Sequence, residues 1–222
     1  MANKEESSKK SNNTLVHDTI ALTLITLIAG ILLGGVYTMT KEPIEKQNEK
    51  TKAEAYAAVF EGAEFSGDKD LDSALEEYNK QLAAGEIKSD AMGETLKDVE
   101  ISEVMKAQKD GEDAGYVVTC SGKGYGGNVT LALGIDSAGN ILGIRVTDCS
   151  NETPGLGQNS SGSWNEQYVG MALGEKGVSV VKDGSGSMES GTVNAISGAT
   201  ITSRAVTRAV NASLDFITSL SE

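Results

Sequence analysis

The amino-acid sequence predicts an α+β protein: one transmembrane helix and a helical stalk, then a domain with an antiparallel sheet and a closing C-terminal helix. Residues 19–39 contain no charged side chain. Residues 128–136 and 141–148 alternate apolar and polar side chains with the period of two that is typical of strands. Beyond residue 200, apolar residues recur every three or four positions, which is the spacing of an amphipathic helix.

Composition and charge narrow the class of protein. The chain has 222 residues and a formal net charge of −13, which argues against nucleic-acid binding because phosphate contacts require a basic surface. Aromatic residues make up 5% of the chain and glycines number 26, so we expect short strands and many turns. His17 is the only histidine and the two cysteines are far apart, so no metal site is predicted. Cys120 and Cys149 form either one disulfide or two buried thiols.

Residues 19–39 are predicted to cross the membrane once. At about 1.5 Å per residue, they span a hydrocarbon core about 30 Å thick. A cleavable signal peptide is an alternative, although the stretch is long for one and no Ala-x-Ala site follows it; a buried core helix is another. Lysines flank both ends, so charge alone leaves the orientation open. A short polar N-terminus is easily retained, which favours a cytoplasmic N-terminus and an extracytoplasmic domain.

The chain divides into four predicted parts. Residues 1–18 are polar and are expected to form a disordered cytoplasmic tail. The transmembrane helix at residues 19–39 follows, and residues 40–90 are predicted to be a juxtamembrane helical segment. Residues 91–222 form the predicted sheet-and-helix domain.

The juxtamembrane segment has its own start and stop signals. Pro43 predicts an exit turn, after which a charged helix continues away from the membrane. A second helix is predicted over residues 70–84. Asp70 or Asp72 would cap it, and Gly85 would end it.

The C-terminal domain begins with strand signals. Residues 116–120 are a predicted strand, and residues 128–136 and 141–148 are predicted to form a hairpin. The glycine-rich loop at residues 121–127 joins the first strand to this hairpin. The loop is neither a P-loop, since its glycine spacing is wrong, nor a dinucleotide fingerprint, since no helix follows it. Residues 61–69 are predicted to be another loop.

The last helix opens with the run Ser-Gly-Ala-Thr-Ile-Thr-Ser. Backbone N–H groups at a helix start have no internal partner and favour an anion such as phosphate. Ser197 and Gly198 predict a tight turn, and Ala199 allows a ligand to approach the backbone. An ordinary hydroxyl-capped helix is the alternative for this run taken alone. The hydroxyl groups that could cap, bind a phosphate or be modified belong to Thr200, Thr202 and Ser203.

Three motifs occur in order behind one membrane helix: Gly124-Tyr-Gly-Gly127, Glu152-Thr-Pro-Gly-Leu-Gly157 and the Ser-Gly-Ala-Thr run. Together they resemble the FMN-binding domain of the G subunit of the Rnf electron-transport complex. The related C subunit of the sodium-translocating NADH:quinone reductase has the same plan. The resemblance covers nearly the whole chain, from residue 40 to the last helix.

This resemblance implies a covalent flavoprotein. FMN would be attached through its phosphate, as a phosphoester, to Thr200, and a separate flavin transferase would form the bond. The family usually has an acidic residue, implied to assist attachment, where this chain has Asn194. The resemblance assigns further positions to cofactor binding: Ser197, Gly198, Ala199, Thr202, Ser203, Glu152, Thr153, Gly155 and Leu156.

The resemblance also implies a function. The chain would relay electrons within a multisubunit complex that moves them between reduced ferredoxin and NAD⁺ and translocates Na⁺ or H⁺, in contact with other membrane subunits. The sequence has no Rossmann fingerprint and no cysteine cluster for iron–sulfur centres, so independent catalysis is not expected. Two alternatives are the C subunit of the quinone reductase and a membrane-tethered binding module without a cofactor.

Overall fold

The computed structural model describes residues 2–172, 174 and 177–220, with side chains described from Val16 onward. Contacts divide the chain into two units, one ending at Lys50 and the other beginning at Thr51. Helix α1 (Ala2–Val59) contributes to both. Residues 2–18 are helical, which differs from the predicted disordered tail. This stretch has no glycine or proline, and extending an existing helix costs much less than nucleating one.

The first unit contains the predicted membrane anchor. Within Val16–Val59, α1 is long and apolar enough to cross a membrane, and its most apolar window is not buried by the protein. Threonine hydroxyls in this stretch turn back onto the helix: Thr23 donates to the Thr19 carbonyl and Thr38 to the Gly34 carbonyl, both at 2.8 Å. These bonds satisfy polar groups that would find no partner in hydrocarbon.

The predicted exit turn at Pro43 is wrong, because α1 continues through this residue. Proline removes one backbone hydrogen bond and bends a helix, but long helical segments on both sides keep this one intact. Two ion pairs spaced four residues apart also bridge the proline. Lys46 lies 2.7 Å from Glu42, and Lys41 lies 3.8 Å from Glu45. The predicted charged helix after Pro43 is confirmed, and it ends at Val59.

The second unit is built on a five-stranded antiparallel sheet with the order β1-β4-β5-β6-β7 among the described residues. The predicted hairpin is confirmed, with β6 and β7 at the expected residues, and β5 contains the predicted strand at residues 116–120. β4 was not predicted, and β1 lies within the loop predicted at residues 61–69. The strands are β1 (Glu64–Ser66), β2 (Lys88–Ser89), β3 (Glu94–Thr95), β4 (Val99–Lys109), β5 (Glu112–Lys123), β6 (Asn128–Asp136), β7 (Ile141–Asp148), β8 (Ser179–Val181) and β9 (Thr192–Asn194).

Helices α2 (Lys69–Ala84) and α3 (Thr200–Ser219) pack against one face of this sheet through the main hydrophobic core. The N-cap of α2 is Asp68, whose carboxylate accepts the Asp70 N–H at 2.9 Å. The predicted caps Asp70 and Asp72 are therefore wrong, because both lie inside the first turn of the helix. Gly85 ends the helix as predicted, in the left-handed conformation that glycine tolerates.

The last turns of α1 cover the opposite face of the sheet. Tyr56, Val59 and Phe60 are buried there. Gly143 on β7 permits the close approach, because a Cβ atom at this position would lie 2.8 Å from the Val59 Cα. The compact unit therefore starts at Thr51, well before the domain boundary predicted at residue 91.

Both cysteines are free thiols in the structure. Cys120 on β5 is fully buried, and this burial raises its pKa to about 12. The Ser213 hydroxyl donates to its sulfur at 3.2 Å. Burial therefore favours the protonated form of the Cys120 thiol at neutral pH. Cys149 is half-buried at the end of β7.

Candidate functional site

A tight turn leads from β9 into α3. The Ala199 N–H donates to the Ile196 carbonyl at 2.9 Å, and Gly198 has a φ of 75°, which glycine adopts without strain. Ala199 is the N-cap and has no side-chain oxygen to bond the first turn. The first backbone N–H groups of α3 thus have neither an intrahelical partner nor a side-chain cap, which makes this turn suited to an anion.

The three hydroxyls of the first turn have different surroundings. Ser203 is fully buried, and its Oγ donates to the Ala199 carbonyl at 3.0 Å and accepts a backbone N–H at 2.9 Å. Thr202 is 1% exposed and donates to the carboxylate of Glu152. Thr200 is partly exposed, and its hydroxyl bonds to none of the described residues. Of the three, Thr200 is the one that a ligand can reach.

A pocket of about 540 Å³ opens at the start of α3. This volume lies within the range of small-molecule sites. Three separate segments form its wall: the glycine-rich loop before β6, the turn after β7, and the first turn of α3. The lining residues are Tyr125, Glu152, Thr153, Leu156, Gly157, Gly198, Ala199, Thr200, Ile201 and Thr202.

Most of the residues predicted to bind a cofactor line this pocket. Ser197, Gly155 and Ser203 do not: Ser197 is exposed ahead of the turn, Gly155 lies within the turn after β7, and Ser203 points into the core. Three lining residues were not predicted, namely Tyr125, Gly157 and Ile201. The first two belong to the Gly-Tyr-Gly-Gly and Glu-Thr-Pro-Gly-Leu-Gly motifs, so the sequence did carry a signal for them.

Glu152 connects the three segments of the pocket wall. Its side chain is almost fully buried, at 2% exposure. One carboxylate oxygen accepts the Gly126 N–H at 2.9 Å, and the other accepts the hydroxyl of Thr202. A buried carboxylate is stable only when such donors replace water. Glu152 thus fixes the glycine-rich loop and α3 on either side of the pocket.

The glycines of the loop allow it to lie against this carboxylate. A Cβ atom on Gly126 would overlap the backbone carbonyl of Asn151, and one on Gly124 would lie 2.9 Å from the Gly127 carbonyl oxygen. Both separations are below 3.0 Å, which is shorter than the contacts that real Cβ atoms make. Side chains larger than glycine would therefore push the loop away from Glu152.

Exposed apolar side chains surround the mouth of the pocket. Tyr125 is 73% exposed, Ile201 50% and Leu156 40%. Large apolar groups grouped around one opening mark a surface that a flat, largely apolar ligand can cover. The pocket thus combines a helix start that is suited to an anion with an apolar rim.

Asn194 is a structural link and does not line the pocket. Its Oδ1 accepts the Gly186 N–H at 2.9 Å, and its Nδ2 donates to Gln167 Oε1 at 3.2 Å. Its backbone N–H donates to the same Gln167 oxygen at 2.9 Å, and its carbonyl accepts the Trp164 indole N–H at 2.6 Å. The residue joins β9 to the short 3₁₀ helix Ser163–Tyr168 and to the loop that contains Gly186.

We expect Asn194→Asp to destabilise the domain by about 1–3 kcal/mol, because a carboxylate oxygen would face the Gln167 Oε1 acceptor. Turning the Gln167 amide over would not help, since its NH₂ would then face the Asn194 backbone N–H. Thermal unfolding of the full chain in detergent measures the effect. Asn128→Asp adds the same charge at an exposed strand end and should change stability little. Equal stability of the two variants would contradict the assignment.

Residues 124–215 match the family described as FMN-binding domain. The chain is 35% identical to the G subunit of the Na⁺-translocating ferredoxin:NAD⁺ oxidoreductase complex of Acetobacterium woodii, over 91% of each chain. It is 30% identical to the G subunit of the ion-translocating oxidoreductase complex of Haemophilus influenzae, over 84% of this chain and 82% of that one. Among solved structures, NqrC of Shewanella oneidensis matches with a TM-score of 0.44 and 27% identity, over 53% of this chain and 60% of that one.

The family match thus defines a protein in which an FMN-binding domain follows an apolar N-terminal helix along the chain. The chain belongs to the family of G subunits of ion-translocating oxidoreductase complexes. The resemblance stated from the sequence is confirmed.

Proposed function

We propose that this chain is the membrane-anchored flavoprotein subunit of an Rnf-type ferredoxin:NAD⁺ oxidoreductase complex. It relays electrons through FMN that is attached to Thr200 by a phosphoester bond. The observation that carries the proposal is the contrast among the hydroxyls at the start of α3. Thr202 and Ser203 are buried and hydrogen-bonded, whereas Thr200 lines the pocket and its hydroxyl has no hydrogen-bond partner among the described residues.

The pocket fits the phosphate of FMN. Free N–H groups at the start of α3 can donate to phosphate oxygens beside Thr200. Gly198, Ala199 and Gly157 line the same part of the wall and leave room for a bulky group close to the backbone. The attachment forms one bond from the Thr200 oxygen to phosphorus. The bond from phosphorus to the leaving group of an activated flavin nucleotide breaks, the leaving group takes the electron pair of that bond, and the hydroxyl proton is released.

The rim fits the ring of FMN. Tyr125, Leu156 and Ile201 would contact the isoalloxazine ring and cover apolar surface that is otherwise exposed. FMN itself supplies the ability to accept and release electrons, and the protein positions it. A linkage through the phosphate leaves this ring unmodified, and the tether keeps the cofactor from diffusing away.

The apolar part of α1 would anchor the chain in the cell membrane as a single span, with the N-terminus in the cytoplasm and the flavin domain outside it. Other membrane subunits of the complex would be its partners, and a flavin transferase would mature it. Protease added to intact spheroplasts should digest the domain and spare the cytoplasmic N-terminus. Protection of the domain would reverse the proposed orientation.

Co-expression with a flavin transferase tests the proposed function. The purified chain should gain about 438 Da, the mass of FMN less one water, and give a yellow band that fluoresces on a denaturing gel. Without the transferase, neither should appear. A colourless chain of unchanged mass after co-expression would favour the alternative of a binding module without a cofactor.

A further inference from the structure

We propose that Glu152 makes this pocket selective for the charge of the flavin phosphate: it accepts the singly charged ester and disfavours the doubly charged phosphate of free FMN. The inference rests on the function proposed above and adds a specificity-determining role to a residue that otherwise only holds the wall together. It follows from two observations: the Glu152 carboxylate lines the pocket, and no lysine or arginine does so among the described residues.

The wall of the pocket offers no cation to a phosphate. None of the described residues that line it is a lysine or an arginine, and Glu152 contributes a carboxylate. This carboxylate accepts a hydrogen bond from Thr202, which is two residues from Thr200. It therefore lies beside the start of α3, where the phosphate would be bound. Because the side chain is only 2% exposed, solvent screens its charge poorly.

The basic residues nearest in sequence to the pocket either bond to other groups or point into solvent. Arg204 pairs with Glu94 at 3.0 Å. Arg208 donates to the backbone carbonyl of Lys123 at 2.9 Å and lies 4.0 Å from the same Glu94. The Lys123 side chain is exposed and does not line the pocket. The helix start therefore provides the main attraction for the phosphate, and an N-terminal dipole corresponds to only about half a charge.

Esterification changes the charge that this site must accommodate. Free FMN carries close to two negative charges on its phosphate near pH 7, because the second phosphate pKa is about 6. When the Thr200 oxygen replaces one phosphate oxygen, one ionisable position disappears and the linked group carries a single charge at any physiological pH. The repulsion from Glu152 is then roughly halved. The pocket thus favours the attached cofactor over the free one.

The test compares FMN with riboflavin, which has the same ring and no phosphate, on the full chain carrying Thr200→Val so that no covalent bond forms. Quenching of flavin fluorescence measures both affinities. We expect riboflavin to bind at least as tightly as FMN. FMN binding should strengthen several-fold as the pH falls from 8 to 5.5 and the phosphate gains its second proton, whereas riboflavin binding should stay constant.

Adding Glu152→Gln removes the charge and keeps the contacts, since the amide oxygen can accept the Gly126 N–H and the amide NH₂ can donate to the Thr202 hydroxyl. FMN should then bind about tenfold more tightly, while riboflavin affinity changes less than about twofold. Glu166→Gln removes a charge from an exposed position and is the matched control, for which neither affinity should change.

Three outcomes would overturn the inference: tighter binding of FMN than of riboflavin while Glu152 is present, a parallel change of both affinities in Glu152→Gln, or no binding of riboflavin up to its solubility limit. These results are separable from a failure of the proposed function. That failure would show as a wild-type chain that gains no flavin mass in the presence of the transferase.

Discussion

Thr200→Val is expected to abolish covalent flavin attachment completely. Valine has nearly the shape of threonine but lacks the hydroxyl oxygen that would bond to phosphorus. The neighbouring hydroxyls cannot substitute, because Thr202 and Ser203 are buried and hydrogen-bonded inside the fold. Intact-mass measurement after co-expression with a flavin transferase should show the unmodified chain alone, with no fluorescent band on a denaturing gel.

Two further variants test whether the loss of attachment is specific to the Thr200 hydroxyl. Thr200→Ser restores a hydroxyl at the same position and should recover part of the attachment. Ser197→Ala removes an exposed hydroxyl of the same motif that lies outside the pocket, and it should load fully. Flavin mass that persists in Thr200→Val, or disappears in Ser197→Ala, would show that the attachment site is elsewhere.

Gly157→Ala is expected to destabilise the domain by about 2–4 kcal/mol and to reduce flavin attachment sharply. A Cβ atom there would lie 2.8 Å from the Thr202 Oγ1 and would also overlap the carboxylate of Glu152. The added methyl group would therefore separate the two partners of a buried hydrogen bond and leave the carboxylate without one of its donors. Urea unfolding of the full chain in detergent, together with the attached fraction by mass, measures both effects.

Gly162→Ala is the matched control for this variant. A Cβ atom at Gly162 would lie 3.4 Å from the Asn159 carbonyl oxygen, which the loop can accommodate with a small shift. Its unfolding free energy should stay within about 0.5 kcal/mol of the wild type. If the unfolding free energy of Gly157→Ala equals that of this control, the hydrogen bond between Thr202 and Glu152 does not stabilise the pocket wall.

Local patterns in the sequence were enough to predict the elements that carry the site. The alternation in β6 and β7 and the apolar stripe of α3 are short-range signals, and both elements lie where they were expected. The Ser-Gly-Ala-Thr run identified the start of α3 for the same reason. A turn followed by a helix leaves its backbone N–H groups unpaired whatever the rest of the fold does.

Features that depend on distant residues could not be predicted in this way. β1 has three residues and becomes a strand only by pairing with β4. The hydrogen bond that the Thr202 hydroxyl donates to Glu152 joins positions fifty residues apart. The sequence predicts only that Tyr125 lies in a loop, because its position on the rim of the pocket depends on how that loop packs against the turn after β7. The inward orientation of Ser203 likewise follows from α3 packing on the sheet.

The three-segment construction of the pocket has a consequence for when the cofactor can be added. Residues 124–127, 152–157 and 198–202 are far apart in an extended chain, and the last of them begins the final helix. On the proposed attachment and orientation, the pocket around Thr200 is complete only after the domain has been synthesised, exported and folded. A transferase that requires this pocket would act on the folded domain, and attached flavin would then indicate that the domain has folded correctly.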